Sequence, residues 1–355
     1  MNLTVETVAA DQRKPKPNPD NLGFGRLFTD HMFTMLYDTD RGWHDAAIGP
    51  YRNFSLDPAA MVLHYGQSIF EGLKAYRGEN GSVFLFRPQD NLLRMNRSAE
   101  RMCMPPLPVD TVYEALCRLV DLERDWIPAA RGASLYIRPT MIAAEAGLGV
   151  RPANHYIFFI ILSPVGAYYP EGFNPVKIYV TDKYVRAVPG GVGAVKTAGN
   201  YAASIMAAVE AQKQGYTQVL WLDGVERRYV EEVGTMNIFF VIDDEIITPP
   251  LGGSILPGIT RDSVLRLTRD WGLRVSERRI TIDEVLTAAE RGTLTEVFGT
   301  GTAAVISPVG LLYYRGREYP VNGGKTGELA QRLFDELLGM QYGERPDPYG
   351  WVVRL

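Results

Sequence analysis

Strand-length apolar runs and helix-period runs follow one another in this chain without strict alternation, and this order constrains the fold most. Regular alternation would build a doubly wound parallel sheet. The uneven order predicts an α+β (α/β mixed) architecture instead. Expected strands include residues 28–37, Val83-Phe-Leu-Phe86 after the hairpin signal Asn80-Gly81, and Ser134-Leu-Tyr-Ile-Arg-Pro-Thr-Met-Ile142. Further strands are expected at residues 155–164, 176–181, 218–222, 229–233 and 237–242, then near 273–275, at 294–298 and at 303–307. Helical spacing appears at 89–102, where Leu92, Met95, Ala99 and Met102 share one face, at 109–126, from Thr260 onward, at 282–289 and at 329–338. Arg94 lies off that stripe and reads locally as a polar-face residue. Residues 1–23, polar and rich in Pro and Asn, read as an irregular lead-in.

A chain of 355 residues has room for two domains. A smaller N-terminal domain is expected over 1–170, its end marked by the Gly/Pro-punctuated stretch 164–170. Residues 171–178 link into a larger domain, 179–355, which carries the lysine discussed next.

In Gly190-Gly-Val-Gly-Ala-Val-Lys-Thr-Ala-Gly-Asn-Tyr201, three glycines crowd ahead of Lys196, and Ala202, Ile205, Met206 and Val209 follow at helical spacing. A flexible turn thus delivers one amine just before a helix. No neighbour in sequence is a carboxylate. Partial desolvation lowers a lysine's pKa and frees it as a nucleophile. Two other readings stay open on this stretch alone. A phosphate-cradling P-loop needs Gly where the chain has Val195, and a solvated lysine in a surface turn needs nothing further.

The charge balance narrows the classes. A formal charge of −4 with no basic block gives no footprint for nucleic acid. The only cysteines, Cys103 and Cys117, fall in helical-looking runs and read as buried inert thiols, which suits a cytoplasmic setting. His31, His44, His64 and His155 show no metal-ligand spacing, so no metal is expected. No apolar run is long enough to span a membrane, and the N-terminus does not read as a secretion signal.

Seven stretches in register carry a resemblance. They are Phe70-Glu-Gly-Leu-Lys-Ala-Tyr76, Leu93-Arg-Met95, Ser134-Leu-Tyr-Ile-Arg-Pro139, Lys196-Thr-Ala-Gly-Asn-Tyr201, Glu232-Val-Gly-Thr-Met-Asn237, Leu256-Pro-Gly-Ile-Thr-Arg261 and Phe298-Gly-Thr-Gly-Thr-Ala303. In this order they closely resemble the branched-chain amino acid aminotransferases, two-domain pyridoxal 5'-phosphate enzymes of fold type IV. The resemblance runs from about residue 24 to 343. Related D-amino acid aminotransferases and aminodeoxychorismate lyases share the lysine and the glutamate. The Phe70 stretch, the Tyr136/Arg138 pair and the chain length favour the branched-chain group.

The resemblance implies roles residue by residue. Lys196 matches the lysine joined covalently to the cofactor, Glu232 the carboxylate at the pyridine nitrogen, and Tyr201 the phenol at the ring oxygen. Arg94, Ile259, Thr260 and Thr302 match the phosphate binders. Tyr65, Phe70, Tyr136, Arg138 and Tyr168 match the substrate pocket, with Arg138 placed to meet the distal carboxylate of glutamate. Ala303 and Ala304 match the amides near the substrate carboxylate. The resemblance also implies a cofactor held between the two domains and a homodimer in which Tyr65 reaches the partner's pocket. The expected substrates are leucine, isoleucine, valine, glutamate and their 2-oxo acids. One departure is informative. Mammalian members carry a redox Cys-x-x-Cys pair where this chain reads Ala304-Val-Ile-Ser307, so a thiol switch at that place is excluded.

On the residues alone, Glu232 and its neighbour Glu231 point to opposite faces of one strand, so only one of them can serve the ring. If Glu232 stood alone, an edge-strand carboxylate facing solvent would be the favoured reading of the pair.

Overall fold

The computed structural model describes residues 2–166 and 173–355. By internal contacts the chain divides into two compact units. The first gathers Met1–Tyr168, Lys196–Ala198 and Gly339–Leu355, and the second gathers Tyr169–Val195 and Gly199–Leu338. The C-terminal segment thus returns to the first unit, which a simple cut of the chain at 170–178 does not anticipate.

The first unit is built on one nine-stranded sheet. In chain order it contains β1 (Thr4–Val5), β2 (His31–Asp38), β3 (Gly42–Pro50), helix α1 (Met61–Tyr65), β4 (Ser68–Phe70), β5 (Leu73–Arg77) and β6 (Val83–Phe86). Helices α2 (Pro88–Arg101) and α3 (Val109–Leu122) follow, then β7 (Ser134–Ala143) and β8 (His155–Val165). The sheet runs β1-β3-β2-β8-β7-β5-β6, with β4 beside β7 and the C-terminal strand Val352–Arg354 closing the far edge. All pairs are antiparallel except β1 with β3. The lead-in is therefore not wholly irregular, since its Thr4–Val5 piece extends the sheet.

Helices α2 and α3 cover this sheet with Leu92, Met95, Ala99, Val112, Leu116 and Leu119. These side chains share one core cluster with Phe33, Leu73, Leu85, Ile137 and Phe158. Arg94 is also buried, contrary to its polar-face reading. Helix α3 stops at Leu122, and the expected helix to 126 finishes as a separate 3-10 turn, Arg124–Trp126. Leu63, His64 and Tyr65 form the end of a short helix closed by left-handed Gly66.

In the second unit, β9 (Val176–Thr181) leads to the lysine turn and α4 (Ala198–Lys213). Strands β10 (Gln218–Leu222), β11 (Val230–Val233), β12 (Met236–Ile242) and β13 (Glu245–Thr248) precede α5 (Ile259–Asp270). Then come β14 (Val275–Glu277), α6 (Ile282–Arg291), β15 (Leu294–Gly301), β16 (Val305–Tyr314), β17 (Arg317–Pro320), α7 (Glu328–Gln341) and, back in the first unit, β18 (Val352–Arg354). The sheet path runs β11-β10-β9-β16-β15-β12, and β12 also pairs with β11. Six strands thus close on themselves, which removes the edge on which β11 would otherwise lie. This closure corrects the edge-strand reading of Glu231 and Glu232: β11 has a neighbour on each side, and both carboxylates are buried.

Helix α4 departs from its sequence pattern in an informative way. Its buried residues are Asn200, Ala207 and Ala211, whereas Ile205 and Met206 are more than half exposed. The apolar stripe seen in sequence therefore faces out of the chain. The thiols need a correction too: Cys103 is exposed, in a left-handed turn after α2, and only Cys117 is partly buried.

Candidate active site

Lys196 is presented by backbone, not by a loose turn. Its N–H donates to Ser98 Oγ on α2 at 3.0 Å, and its carbonyl accepts from the Phe70 N–H at 3.0 Å. The next residue pairs as a bridge with Ile69, and Thr197 Oγ1 donates to Ser68 O at 2.8 Å. One residue of added strand thus fixes the lysine against β4. Its half-buried side chain carries Nζ to 4.9 Å from the centre of the Phe70 ring. The flexible delivery expected from the glycines is therefore replaced by a rigid one. Gly193 in the turn is required by space, because a Cβ there would lie 2.2 Å from Ser254 O. The turn holds no P-loop: a bridging residue, not a glycine-lined anion nest, joins it to α4.

The same unit holds the expected pocket residues. Arg138 Nη2 donates to Tyr136 Oη at 3.1 Å, as their shared sheet face requires. The Arg138 guanidinium lies 4.7 Å from the Phe70 ring centre and 5.2 Å from that of Tyr136. Its buried Nε meets no hydrogen-bond acceptor. No ion pair holds Arg138 among the described residues, so two aromatic faces carry a cation suited to an incoming carboxylate. Tyr65, partly exposed, donates to Leu148 O. Arg94 is fastened to Glu71, with Nε to Oε1 and Nη2 to Oε2 both at 2.8 Å. Glu71 is fully buried, and this two-pronged pair fixes the direction of the Arg94 side chain. Tyr168 lies outside the described residues.

The second unit holds the acid. Glu232 Oε1 accepts from Asn237 Nδ2 and from the Leu256 N–H, both at 3.1 Å. Its Oε2 lies 2.6 Å from Arg186 Nε. That approach is an ion pair, not an aligned hydrogen bond, since Arg186 Nε has no acceptor in line. A guanidinium and two N–H donors thus converge on this one carboxylate. Arg186 is itself held by the carbonyls of Gly193 and Ser254. Arg186 has no place in the sequence reading, because nothing in a single sequence pairs it with a distant glutamate. Glu231 leaves the strand on the other side, where Ser254 Oγ donates to it. Glu232, Arg186, Tyr201 and Leu256 line one cavity of about 20 Å³, which brings the expected phenol and carboxylate together.

Ile259 and Thr260, both buried, open helix α5, whose N-cap is Gly258. Backbone N–H groups and the helix dipole favour an anion at such an end. Thr302, Ala303 and Ala304 form the turn between β15 and β16, and Val305 after them is held at φ +62°. A β-branched residue in the left-handed region is strained and marks a constrained turn. Thr300 Oγ1, at the end of β15, is buried with no hydrogen-bond partner. Within the second unit, a clamped carboxylate, a helix N-terminus and an unspent hydroxyl suit a phosphorylated pyridine, and within the first a half-buried amine suits an aldehyde.

Comparison with known proteins agrees with this reading. The family model for amino-transferase class IV matches residues 68–312. The branched-chain-amino-acid aminotransferase 2 of Bacillus subtilis is 55% identical over 99% of this chain and 97% of its own length. Branched-chain-amino-acid transaminase 1 of the same organism is 54% identical, with full coverage of both chains. Among solved structures, the Escherichia coli branched-chain amino acid aminotransferase aligns with a TM-score of 0.75 at 28% identity, covering 90% of this chain and 98% of the other. The branched-chain aminotransferase of the archaeon Thermoproteus uzoniensis, solved with norvaline, gives 0.74 at 26% identity, covering 91% and 99%. With a family match across most of its length and relatives of this identity along all of it, the chain belongs to the class IV aminotransferases, with the fold of the type IV branched-chain enzymes.

Proposed function

We propose that this protein moves the amino group of L-leucine, L-isoleucine or L-valine to 2-oxoglutarate, giving the branched-chain 2-oxo acid and L-glutamate. Full-length identity with the two Bacillus subtilis enzymes is the observation that carries the reaction. Pyridoxal 5'-phosphate, when bound, supplies the aldehyde that captures amines and a ring that draws electrons from the substrate's Cα.

The chain's own residues do the rest. Lys196, its backbone fixed at both N–H and carbonyl, would serve first as nucleophile and then as base for the Cα proton. Glu232, oriented by Arg186 and two N–H donors, would meet the pyridine nitrogen. Tyr201 would hydrogen-bond the ring oxygen. Thr260 and the Ile259 amide at the α5 N-terminus, with Thr302 and Arg94, would hold the phosphate. Phe70, Tyr136, Tyr65 and Tyr168 give apolar walls to the branched side chains. Arg138 meets the distal carboxylate of glutamate, and the Ala303 and Ala304 amides take the carboxylate common to all substrates.

We also propose a homodimer in the cytoplasm. Leu63, Leu148 and Val150 in the first unit, and Ile205 and Met206 in the second, are all more than half exposed. Tyr65, bonded to Leu148 O, belongs to the first patch and is the residue offered to the partner's pocket. Both cysteines are unpaired, and among the described residues no helix is long and apolar enough to cross a membrane.

The test is spectroscopic and kinetic. Purified protein is expected to absorb at about 400 nm and to lose that band on adding L-leucine. Borohydride is expected to fix the cofactor on Lys196. Lys196→Ala should cut turnover by about 1,000-fold or more while still taking up cofactor. A colourless protein that takes up no cofactor overturns the reading, as does normal turnover in Lys196→Ala. Turnover of D-alanine in preference to L-leucine would reassign the substrate.

A further inference from the structure

Ser98 lies fully buried on α2, one turn after Arg94 and on the same face of the helix. None of the seven stretches that carry the resemblance includes it. Its hydroxyl oxygen nevertheless accepts the backbone N–H of Lys196 at 3.0 Å, across 98 residues of chain. An alanine would fill the place as well if packing were the only task there.

Three contacts and two short pieces of chain close a circuit inside the first unit. The Lys196 carbonyl accepts the Phe70 N–H at 3.0 Å. Phe70 is followed by Glu71, whose two carboxylate oxygens take Arg94 Nε and Nη2 at 2.8 Å each. Arg94 shares α2 with Ser98, and Ser98 returns to Lys196. The lysine is thus held at both of its backbone polar groups, by the end of β4 on one side and by α2 on the other. Of these two bonds, the one to Phe70 is backbone to backbone and survives any change of side chain. The one to Ser98 depends on a single hydroxyl. Without that hydroxyl the lysine keeps one hold about which its backbone can turn, and a partly buried N–H loses its acceptor.

We infer that Ser98 is a positioning residue for the reaction: by accepting the Lys196 N–H it fixes where the lysine's amine meets the substrate Cα, and it ties that place to the helix that carries Arg94. This role rests on the aminotransferase reading, in which the Lys196 amine takes the Cα proton. The amine's lone pair forms the new N–H bond, and the electron pair of the broken C–H bond stays with the substrate carbon. A misplacement on the order of 1 Å costs such a step about 100-fold. Ser98 acts through Lys196, while Arg94 keeps its pair with Glu71, so cofactor uptake and leucine binding are expected to survive its loss.

The experiment is a single turnover of the cofactor-loaded protein, followed by stopped-flow absorbance. Saturating L-leucine removes the Lys196 band with a rate constant that reports loaded sites only, so a smaller folded fraction lowers the amplitude and not the constant. Ser98→Ala should lower this rate constant by about 10- to 100-fold and change the half-saturating leucine concentration by about threefold or less. L-Leucine deuterated at Cα should show an isotope effect in the variant at least as large as in the wild type. Apoprotein titrated with pyridoxal 5'-phosphate should keep its affinity within about threefold. A rate constant within about twofold of the wild type overturns the role of Ser98. So does an isotope effect that vanishes in the variant, which places the loss at another step, or a cofactor affinity that falls as far as the rate. Should Ser98→Ala fail to fold, Ser98→Cys, which keeps the size but offers a weak acceptor, decides by the same criteria. A wild-type protein with no band, or with a band that leucine leaves unchanged, would instead remove the aminotransferase reading itself.

Discussion

At the scale of single residues, buried charge is where this molecule is most exacting. Arg138 is a cation on two aromatic faces with no carboxylate partner among the described residues. If it meets the distal carboxylate of glutamate, Arg138→Leu removes a charge-assisted contact that leucine never makes. The expected result is a fall of about 10- to 100-fold in kcat/KM for 2-oxoglutarate and about threefold or less for L-leucine. Equal losses would take Arg138 out of that role. Lys74 on β5 carries a different signature. Burial strips its amine of water and pulls its pKa from 10.5 down to about 8. The unfolded chain therefore holds one more proton than the native one between those two values. Stability contributed by this group is at its lowest below about pH 8 and rises toward 10.5. Lys74→Met should abolish that rise. In urea melts, the gap in unfolding free energy between mutant and wild type should narrow by on the order of 3 kcal/mol from pH 7.5 to pH 10.5. A gap that stays constant with pH would show that the amine is not desolvated.

At the scale of elements, the clamp on Glu232 depends on how closely β12 approaches the start of α5. Asn237 on β12 bonds both Glu232 Oε1 and the Leu256 carbonyl. A Cβ on Gly258, the N-cap of α5, would lie 1.9 Å from Asn237 Oδ1. Gly258→Ala must therefore move the amide that orients the acid or the helix end proposed to take the phosphate. Cofactor affinity is expected to fall by about 10-fold or more, read by titrating apoprotein with pyridoxal 5'-phosphate. An unchanged affinity would mean that strand and helix separate without cost. This approach also marks the limit of what the sequence could yield. Helices α2, α5 and α6 and strands β6, β8 and β9 were legible because a single face or a fully buried run repeats at one period. Strand β3 was not, because Gly42-Trp-His-Asp-Ala-Ala-Ile-Gly-Pro50 shows no alternation, and its partners on both sides define it instead. Strands β13, β17 and β18 are only three or four residues long, too short for a period to show. Lys196 and Glu232 could be found from motifs. Glu71 and Arg186, which hold Arg94 and Glu232, could not, since only the folded chain brings those charges within 3 Å.

At the scale of the whole molecule, helix α4 poses the question that one chain cannot answer by itself. Its sequence has an apolar stripe, yet the stripe is not what the chain buries: Ile205 is 60% and Met206 57% exposed, and Val209 follows at 38%. The helix is held instead by the small residues Ala207 and Ala211, packed against Val219 and Trp221. Large apolar side chains kept outward over little more than one turn form a patch that a second copy of the chain is expected to cover. Ile205→Glu places a charge in that patch without touching the chain's own core. The expected outcome is loss of the dimer by light scattering at micromolar concentration, with the circular dichroism of the folded chain retained. Because Tyr65 is proposed to complete the partner's pocket, the monomeric variant should also lose turnover by about tenfold or more while the Lys196 chromophore persists. A dimer that survives Ile205→Glu would place the subunit contact elsewhere. A monomer with full activity would show that each chain completes its own pocket, and Tyr65 would then have no partner to serve.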